Sequence, residues 1–565
     1  MQLFAQILQH GSSLAPRTLN KILSFGAKSA SLDLGFQIHT VIIKLGLCSN
    51  VYVCSALVDV YAKCGTMSNA QKVFDEMAHR NVVTWNTLTS GYLQAECPKM
   101  AIRVFMEMLK MGTEPTPFSL SGVLVGCSQL EAGELGLQVH GLSLKMGYCY
   151  NNVFVGTGLI DMYSRCYSLD DSRRVFNRMS DKNVITWTSM VTDYVQNKLP
   201  DEAMVLVREM LRLEVKPNYV TYSSLLSSFS SPYLLDNCRQ IHCHIIKEGF
   251  EFNAYIAVTL VTVYSECSNR LEDFQKLCSC VFRWDQISWN AVIAGYSNLG
   301  VGEEALRCFS EMRQTGLSID RFTFTSVLRA VGAISGLEEG KQIHALVLKS
   351  GSASTLCVQN GLVSMYARCG SIHESKWVFS LMDEHDVISW NSLLSGCAHN
   401  GFGQEAVELF EHMRRTGIKP DDTTFLVVLT ACSHVGMLEK GLEYFNLMKN
   451  NDPLYSPKME HYATIVDLFG RAGKLYEAEA FMGSMPVDPG PSVYKTLLSA
   501  CRVHGNKEIA LRSAKKLLKL CPDDPATYIL LSNVLVTEGY WDDAEGLRRI
   551  MCDRGVRKNP GYSWI

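Results

Sequence analysis

The chain has 565 residues, 47% apolar and 19% charged, and its 53 Lys and Arg against 56 Asp and Glu leave a net charge of −3. These figures exclude wholesale disorder, and no run of 18 apolar residues is present to form a membrane-spanning helix. The near-neutral balance argues against a protein that coats nucleic acid through a broad basic field, and 20 cysteines are too dilute for a disulfide mini-scaffold.

From the start of the chain, residues 1–15 (MQLFAQILQHGSSLA) read as a partial repeat. LFAQILQHG before Pro16 is similar to VFMEMLKMG before Pro115, so the chain is expected to open in mid-repeat, at a truncated N-terminus. Residues 1–32 lack any acid, but no complete transit peptide is readable there. From Pro16 onward four residue types recur in phase. Tryptophans stand at Trp85, Trp187, Trp289 and Trp390, and histidines at His39, His140, His242 and His344. Tyr61, Tyr163, Tyr264 and Tyr366 are each followed three residues later by Cys64, Cys166, Cys267 or Cys369. The common period is about 102 residues, so the chain is a tandem array and length does not count domains.

Each period holds three similar units. In 82–116, Trp85, Leu88 and Tyr92 lie on one helical face, and Ala101, Val104, Phe105 and Met108 form the stripe of a second helix. Gly112 and Pro115 then stop it. Units 117–152 and 153–183 repeat the two-helix pattern, and lengths of about 35, 35–36 and 31–32 recur to about residue 421. A variant pair covers 422–457 and 458–489, giving about fourteen units over 16–489. A lone helix pair cannot bury both faces, so the expected fold is all-α, a right-handed superhelical α-solenoid of stacked helix–turn–helix repeats.

Periodic cysteines three units apart lie beyond disulfide reach and read as small buried hydrophobes of a reducing compartment. Cys238, His242, Cys243 and His244 could suggest zinc, but His242 is a member of the repeat series and is expected to be structural. No HExxH or C-x-x-C is present, and Gly336–Lys341 (GLEEGK) lacks the spacing and the Ser or Thr of a phosphate loop. The expectation is binding without catalysis, cofactor, metal, membrane or small-molecule substrate.

Runs such as VVTWNTLTSGY, SALVDVYAKCG, GLQVHGLSLKMG and DLFGRAGKLYEAEAFMGSMP resemble plant pentatricopeptide repeat proteins of the PLS subclass, which alternates P, L and S units of these lengths. Residues 490–565, with YKTLLSACRVHGNKEIA and a final GYSWI, resemble that family's E region of degenerate repeats. The resemblance implies an organellar single-stranded RNA-binding protein that specifies sites of C-to-U editing. The family's deaminase domain carries an H-x-E and C-x-x-C zinc site, which this sequence does not show, so the resemblance implies a deaminase-bearing partner in trans. A protein–protein scaffold, or an RNA processing or stability factor, is the alternative. The implied location is the mitochondrion, with the chloroplast as the alternative.

Such repeats read one base per unit with two or three side chains. Carried over by resemblance, the residue after the Trp or Tyr position pairs with the last residue of the unit. The P units give Asn86 with Thr116, Thr188 with Asn218, Asn290 with Asp320, and Asn391 with Asp421. The S units give Ser55 with Asn81, Thr157 with Asn183, Asn360 with Asp386, and Val258 with Asp285, where Val258 cannot hydrogen-bond a base. Val83, Ile185, Ile287 and Ile388 are the expected base-sandwiching residues. The same polar residues also suit helix caps, and a position can serve both ends. The implied target is 5′-A-Y-n-A-A-n-n-U-n-U-U-n-n, with L units undecoded. Residues 490–565 carry 12 Lys and Arg against 8 Asp and Glu, among them Lys515, Lys516, Lys519, Arg548, Arg549, Arg554, Arg557 and Lys558. They read as a solvated face or as a contact for RNA or an acidic partner.

Overall fold

The structure is a computed structural model that describes residues 16–29, 31–166, 169–268, 270–281, 284–451 and 457–556. The partial repeat expected at 1–15, and Arg557 and Lys558, lie outside the described residues. Among the described residues the chain forms 32 α-helices and no strand. They come in pairs, such as Val82–Gln94 with Pro98–Lys110 and Val387–His399 with Gly403–Arg415. The fold is the all-α solenoid of stacked helix–turn–helix units that the periodicity predicts.

The chain divides into two compact units, Met1–Phe282 and Arg283–Ile565. Within each, the first helix of a pair packs on its own second helix and on the first helix of the next pair. In the second unit this stacking continues without change of pattern through Pro491–His504 and Pro525–Thr537.

The predicted helical faces are the buried ones. Leu88 and Ala101 are fully buried, and Trp85, Tyr92, Val104, Phe105 and Met108 nearly so. The repeat tryptophans join neighbouring pairs edge-to-face: Trp85 meets Phe74 and Trp187 meets Phe176 at 4.8 Å, and Trp390 meets Phe379 at 4.9 Å. Such pairs add about 0.5–1.5 kcal/mol beyond burial. The third triplet differs. Cys278 takes the place of that phenylalanine, and Trp289 packs on Trp284 at 4.3 Å.

The histidine and tyrosine series, in phase in the sequence, meet in space. His39, His140, His242 and His344 share Nδ1-to-hydroxyl hydrogen bonds with Tyr61, Tyr163, Tyr264 and Tyr366 at 3.0, 2.7, 3.1 and 2.9 Å. Burial holds all four imidazoles below their ordinary pKa. Each bond ties the second helix of an L unit to the first helix of the following S unit.

The periodic cysteines need one correction. All four close first helices, Cys64 and Cys369 as capping residues, yet only Cys267 is buried; Cys64, Cys166 and Cys369 are half-buried. All four thiols are pushed up by burial. Cys238 is fully buried and Cys243 exposed, so they face apart while His242 is held by Tyr264.

Candidate nucleic-acid interface

The last residue of each P and S unit named above caps the first helix of the next unit. Asn81, Thr116, Asn183, Asn218, Asp285, Asp320, Asp386 and Asp421 all accept a hydrogen bond from the backbone N–H three residues on. Capping and base reading are therefore not alternatives at these positions, since a capped side chain is fixed in direction.

The partner of each pair reaches the same cap. Asn86 Nδ2 donates to Thr116 Oγ1 at 3.2 Å, Asn360 Nδ2 to Asp386 Oδ1 at 3.1 Å, and Asn391 Nδ2 to Asp421 Oδ1 at 3.0 Å. Asn290 Nδ2 lies 3.1 and 3.3 Å from the two oxygens of Asp320. The amide orientation follows from chemistry, because an ionised carboxylate only accepts. Ser55, Thr157 and Thr188 do not bond directly to Asn81, Asn183 and Asn218. Their hydroxyls bond to Thr84, Thr186 and Thr221 at 2.6, 3.0 and 2.7 Å, and those threonines donate to the cap side chain.

That third residue was not singled out from sequence. Thr84, Ser119, Thr186, Thr221, Thr323, Ser389 and Thr424 are buried hydroxyls at the third helical position. Ser119, Thr323, Ser389 and Thr424 donate to the amide oxygens of Asn86, Asn290, Asn360 and Asn391 at 2.6–2.7 Å. The signal was the Thr or Ser just before Trp in every P unit (Thr84, Thr186, Ser288, Ser389), an unusual residue for a core face. Thr424→Val should lower the stability of its repeats by the cost of a buried unmet acceptor, about 1–3 kcal/mol. Thermal or denaturant unfolding, together with amide exchange at Thr424, measures this.

At Asp386 and Asp421 the asparagine amide and the third-position N–H both donate to Oδ1, and the third-position hydroxyl shares its single proton between that oxygen and the asparagine carbonyl. Oδ2 takes none of these bonds, and the N–H of Ile388 or Thr423 also acts on the carboxylate. Burial pushes Asp320, Asp386 and Asp421 up, but the N–H, hydroxyl and amide donors outweigh it and hold each below its ordinary pKa. Val258 and Asp285 belong to different compact units, and Asp285 caps Gln286–Asn298.

Val83, Ile185, Ile287 and Ile388 stand at the second helical position and are 57–62% exposed, unusual for aliphatic side chains of a stable core. The series is longer than expected. Tyr52, Phe118, Phe154, Tyr255 and Phe322 hold the same position in S and L units and are also exposed. Val83 and Phe118 line one pocket of about 650 Å³ with Asn86. Ile185 and Val220 line another of about 270 Å³ with Thr188 and Asn218. Basic groups on the same helices are partly neutralised, Lys63 by Asp59 at 2.8 Å and Arg165 by Asp161 at 3.2 Å.

In the C-terminal basic cluster, Arg549 pairs with Glu545, Arg548 donates to Ser532 and Arg554 to Tyr528. Lys515, Lys516 and Lys519 instead rim a pocket of about 580 Å³ that contains Met482, Met485 and Tyr494.

The profile described as the PPR repeat family matches residues 80–129, 182–231, 285–332 and 385–434, and that of the PPR repeat matches 52–82, 157–184, 360–387 and 423–452. The E motif profile matches 504–565. A chloroplastic pentatricopeptide repeat-containing protein of Arabidopsis thaliana is 36% identical over 96% of this chain and 67% of its own length. A mitochondrial one from the same plant is 35% identical over 100% of this chain and 73% of its own length. Another chloroplastic relative from Arabidopsis is covered over only 61% of its length. Among solved structures, maize PPR10 has the same fold, with a TM-score of 0.55 at 16% identity over 98% of this chain and 91% of that one. PPR10 in complex with an 18-nt psaJ RNA element gives 0.56 at 19% identity, over 98% and 82%. The chain belongs to the pentatricopeptide repeat family and carries that family's E motif.

Proposed function

We propose that the chain is a sequence-specific single-stranded RNA-binding protein of a plant organelle, which selects C-to-U editing sites and works with a deaminase-bearing protein in trans. The observation that carries this reading is the recurrence, unit after unit, of a capped and oriented polar pair beside an exposed apolar residue. A protein scaffold needs no such restriction. The pair offers a fixed donor and acceptor to a base edge, and the apolar residue offers a surface for its face.

The Asn–Asp pairs fit uracil. Oδ2 accepts from the uracil N3–H, and the remaining amide N–H meets a neighbouring carbonyl, whereas the N3 lone pair of cytosine faces a carboxylate and is repelled. The low net charge is consistent with a protein whose affinity comes from stacking and base contacts more than from a basic field. Relatives named for mitochondria and chloroplasts support an organellar site of action, and the mitochondrion is the favoured one.

Binding of 5′-A-Y-n-A-A-n-n-U-n-U-U-n-n, measured against the same oligonucleotide with its three U positions changed to G, tests the reading. Weakened binding is expected, and equal affinity rejects it. Transcript sequencing of a loss-of-function plant should then show one lost editing event downstream of a matching motif. Altered transcript ends with intact editing would instead identify a processing factor.

A further inference from the structure

The stacking series is not uniform, and its irregularity falls on the L units. Phe118 opens the first helix of the L unit 117–152, and Phe154 opens that of the S unit after it. Their rings lie on each other, centroids 5.4 Å apart with 31° between the planes. One triplet later the second-position residue is Val220, and it is the first-position Tyr219 whose ring lies on that of Tyr255, at 6.1 Å and 23°. A base sandwiched between two rings requires about 6.8 Å, twice the stacked spacing of about 3.4 Å. Both gaps are too narrow.

The neighbouring gaps are open. The space between Val83 and Phe118, and that between Ile185 and Val220, are the two pockets that hold the polar groups of the P units. The self-stacked pair therefore closes the slot of the L unit while Phe118 keeps its other face towards the open slot of the preceding P unit. The third L unit differs, because Phe322 is followed at the equivalent position by Cys357, which has no ring to stack. There Phe322 is exposed and has no second ring opposite it; the Arg321 guanidinium lies over its ring, 4.9 Å from the centroid, a mobile cover in place of a second ring.

We propose that the Phe118–Phe154 and Tyr219–Tyr255 pairs shut the base slots of their L units, so that the third and sixth nucleotides of the bound RNA are left out of the stack while the ninth enters it against Phe322. This rests on the RNA-binding reading and on the register given above. The L units then differ from one another for a local physical reason, namely whether a second ring stands opposite the first. Aromatic pairing and base stacking have overlapping strengths, but the closed pair also leaves its outer faces to the two flanking bases, so opening it gains less than a full sandwich.

The test uses the full chain and RNA of the target sequence with 2-aminopurine at the third, fifth, sixth or ninth nucleotide, a fluorophore quenched by stacking. Bright signals at the third and sixth positions and quenched ones at the fifth and ninth are expected. An abasic nucleotide should change affinity less than about twofold at the third or sixth position, against roughly 5- to 100-fold at the fifth. Phe154→Val, a change at an exposed side chain, should open the first slot and quench the third nucleotide. Quenching at the third and sixth positions equal to that at the fifth overturns the proposal. Absence of quenching at the fifth position instead rejects the RNA-binding reading beneath it.

Discussion

Replacing Asp421 with Asn is expected to turn the unit 387–421 from a uracil reader into a cytosine reader without unfolding its helix. The cap survives because asparagine already performs it elsewhere in this chain. Asn218 accepts from the N–H and hydroxyl of Thr221 at 2.9 and 3.0 Å, the same two donors that Thr424 presents to Asp421. What changes is the group left for the base. The carboxylate offers only acceptors, whereas an amide offers an N–H to the lone pair at cytosine N3. A correctly matched pair of hydrogen bonds discriminates between bases by about 1–3 kcal/mol, so the U-to-C preference should reverse by roughly 10- to 100-fold at that nucleotide. Because the substitution also removes a negative charge and strengthens binding to any RNA, the informative quantity is the ratio of affinities for U and C. An unchanged ratio in a variant that unfolds normally would sink the assignment.

The same reversal is expected at Asp320 and Asp386, whose donors match. These carboxyls are held below their ordinary pKa, which also fixes the pH behaviour of the wild-type protein. Their contribution to stability is fully present above the unfolded-state value near 4 and is lost as pH falls through the folded one. Uracil selectivity at these units should therefore persist from pH 8 to pH 5.

The helix pairs were legible because each face is dictated by burial, and burial selects residue type. The stripe Ala101, Val104, Phe105 and Met108 leaves little choice of structure. The pairing residues were legible only through the family resemblance, since Asn391 and Asp421 lie 30 positions apart and no local rule connects them. What remained hidden were interactions whose partners are both ordinary. A Thr at the third position of a helix is unremarked until its hydroxyl is found beneath Asn391. Exposed Phe118 and Phe154 look like scattered surface residues until their rings are found together. The two compact units were hidden for a related reason. Their boundary falls in the S unit containing Val258, where Cys278 takes the place of a core phenylalanine, and in the sequence this looks like one substitution among many.

Asp193 shows how far a single departure from the repeat can reach. The other three P units carry Gly91, Gly295 and Gly396 at this position. A Cβ at Gly91 would stand 2.7 Å from the Cβ of Ala62, and one at Gly396 2.5 Å from that of Ala367. In the second triplet the alanine is Ser164 and the glycine Asp193, and the carboxyl is 3% exposed. Ser172 Oγ donates to its Oδ2 at 3.3 Å. Burial pushes the group up to about 7, with Asp161 raising it further and Ser164, Ser172 and Arg165 opposing. Since the unfolded value lies near 4, the folded state holds a proton that the unfolded chain has lost. Stability should therefore fall as pH rises between those two values and level off above the higher one. From pH 5.5 to pH 8 the loss amounts to about 2 kcal/mol. Asp193→Asn should abolish that slope. An array unfolds by neighbouring repeats, so the measurement is amide exchange across residues 184–196 at several pH values, wild type against variant. Parallel pH profiles would show that Asp193 remains ionised in the fold throughout, and that the serines around it are enough to hold a buried charge.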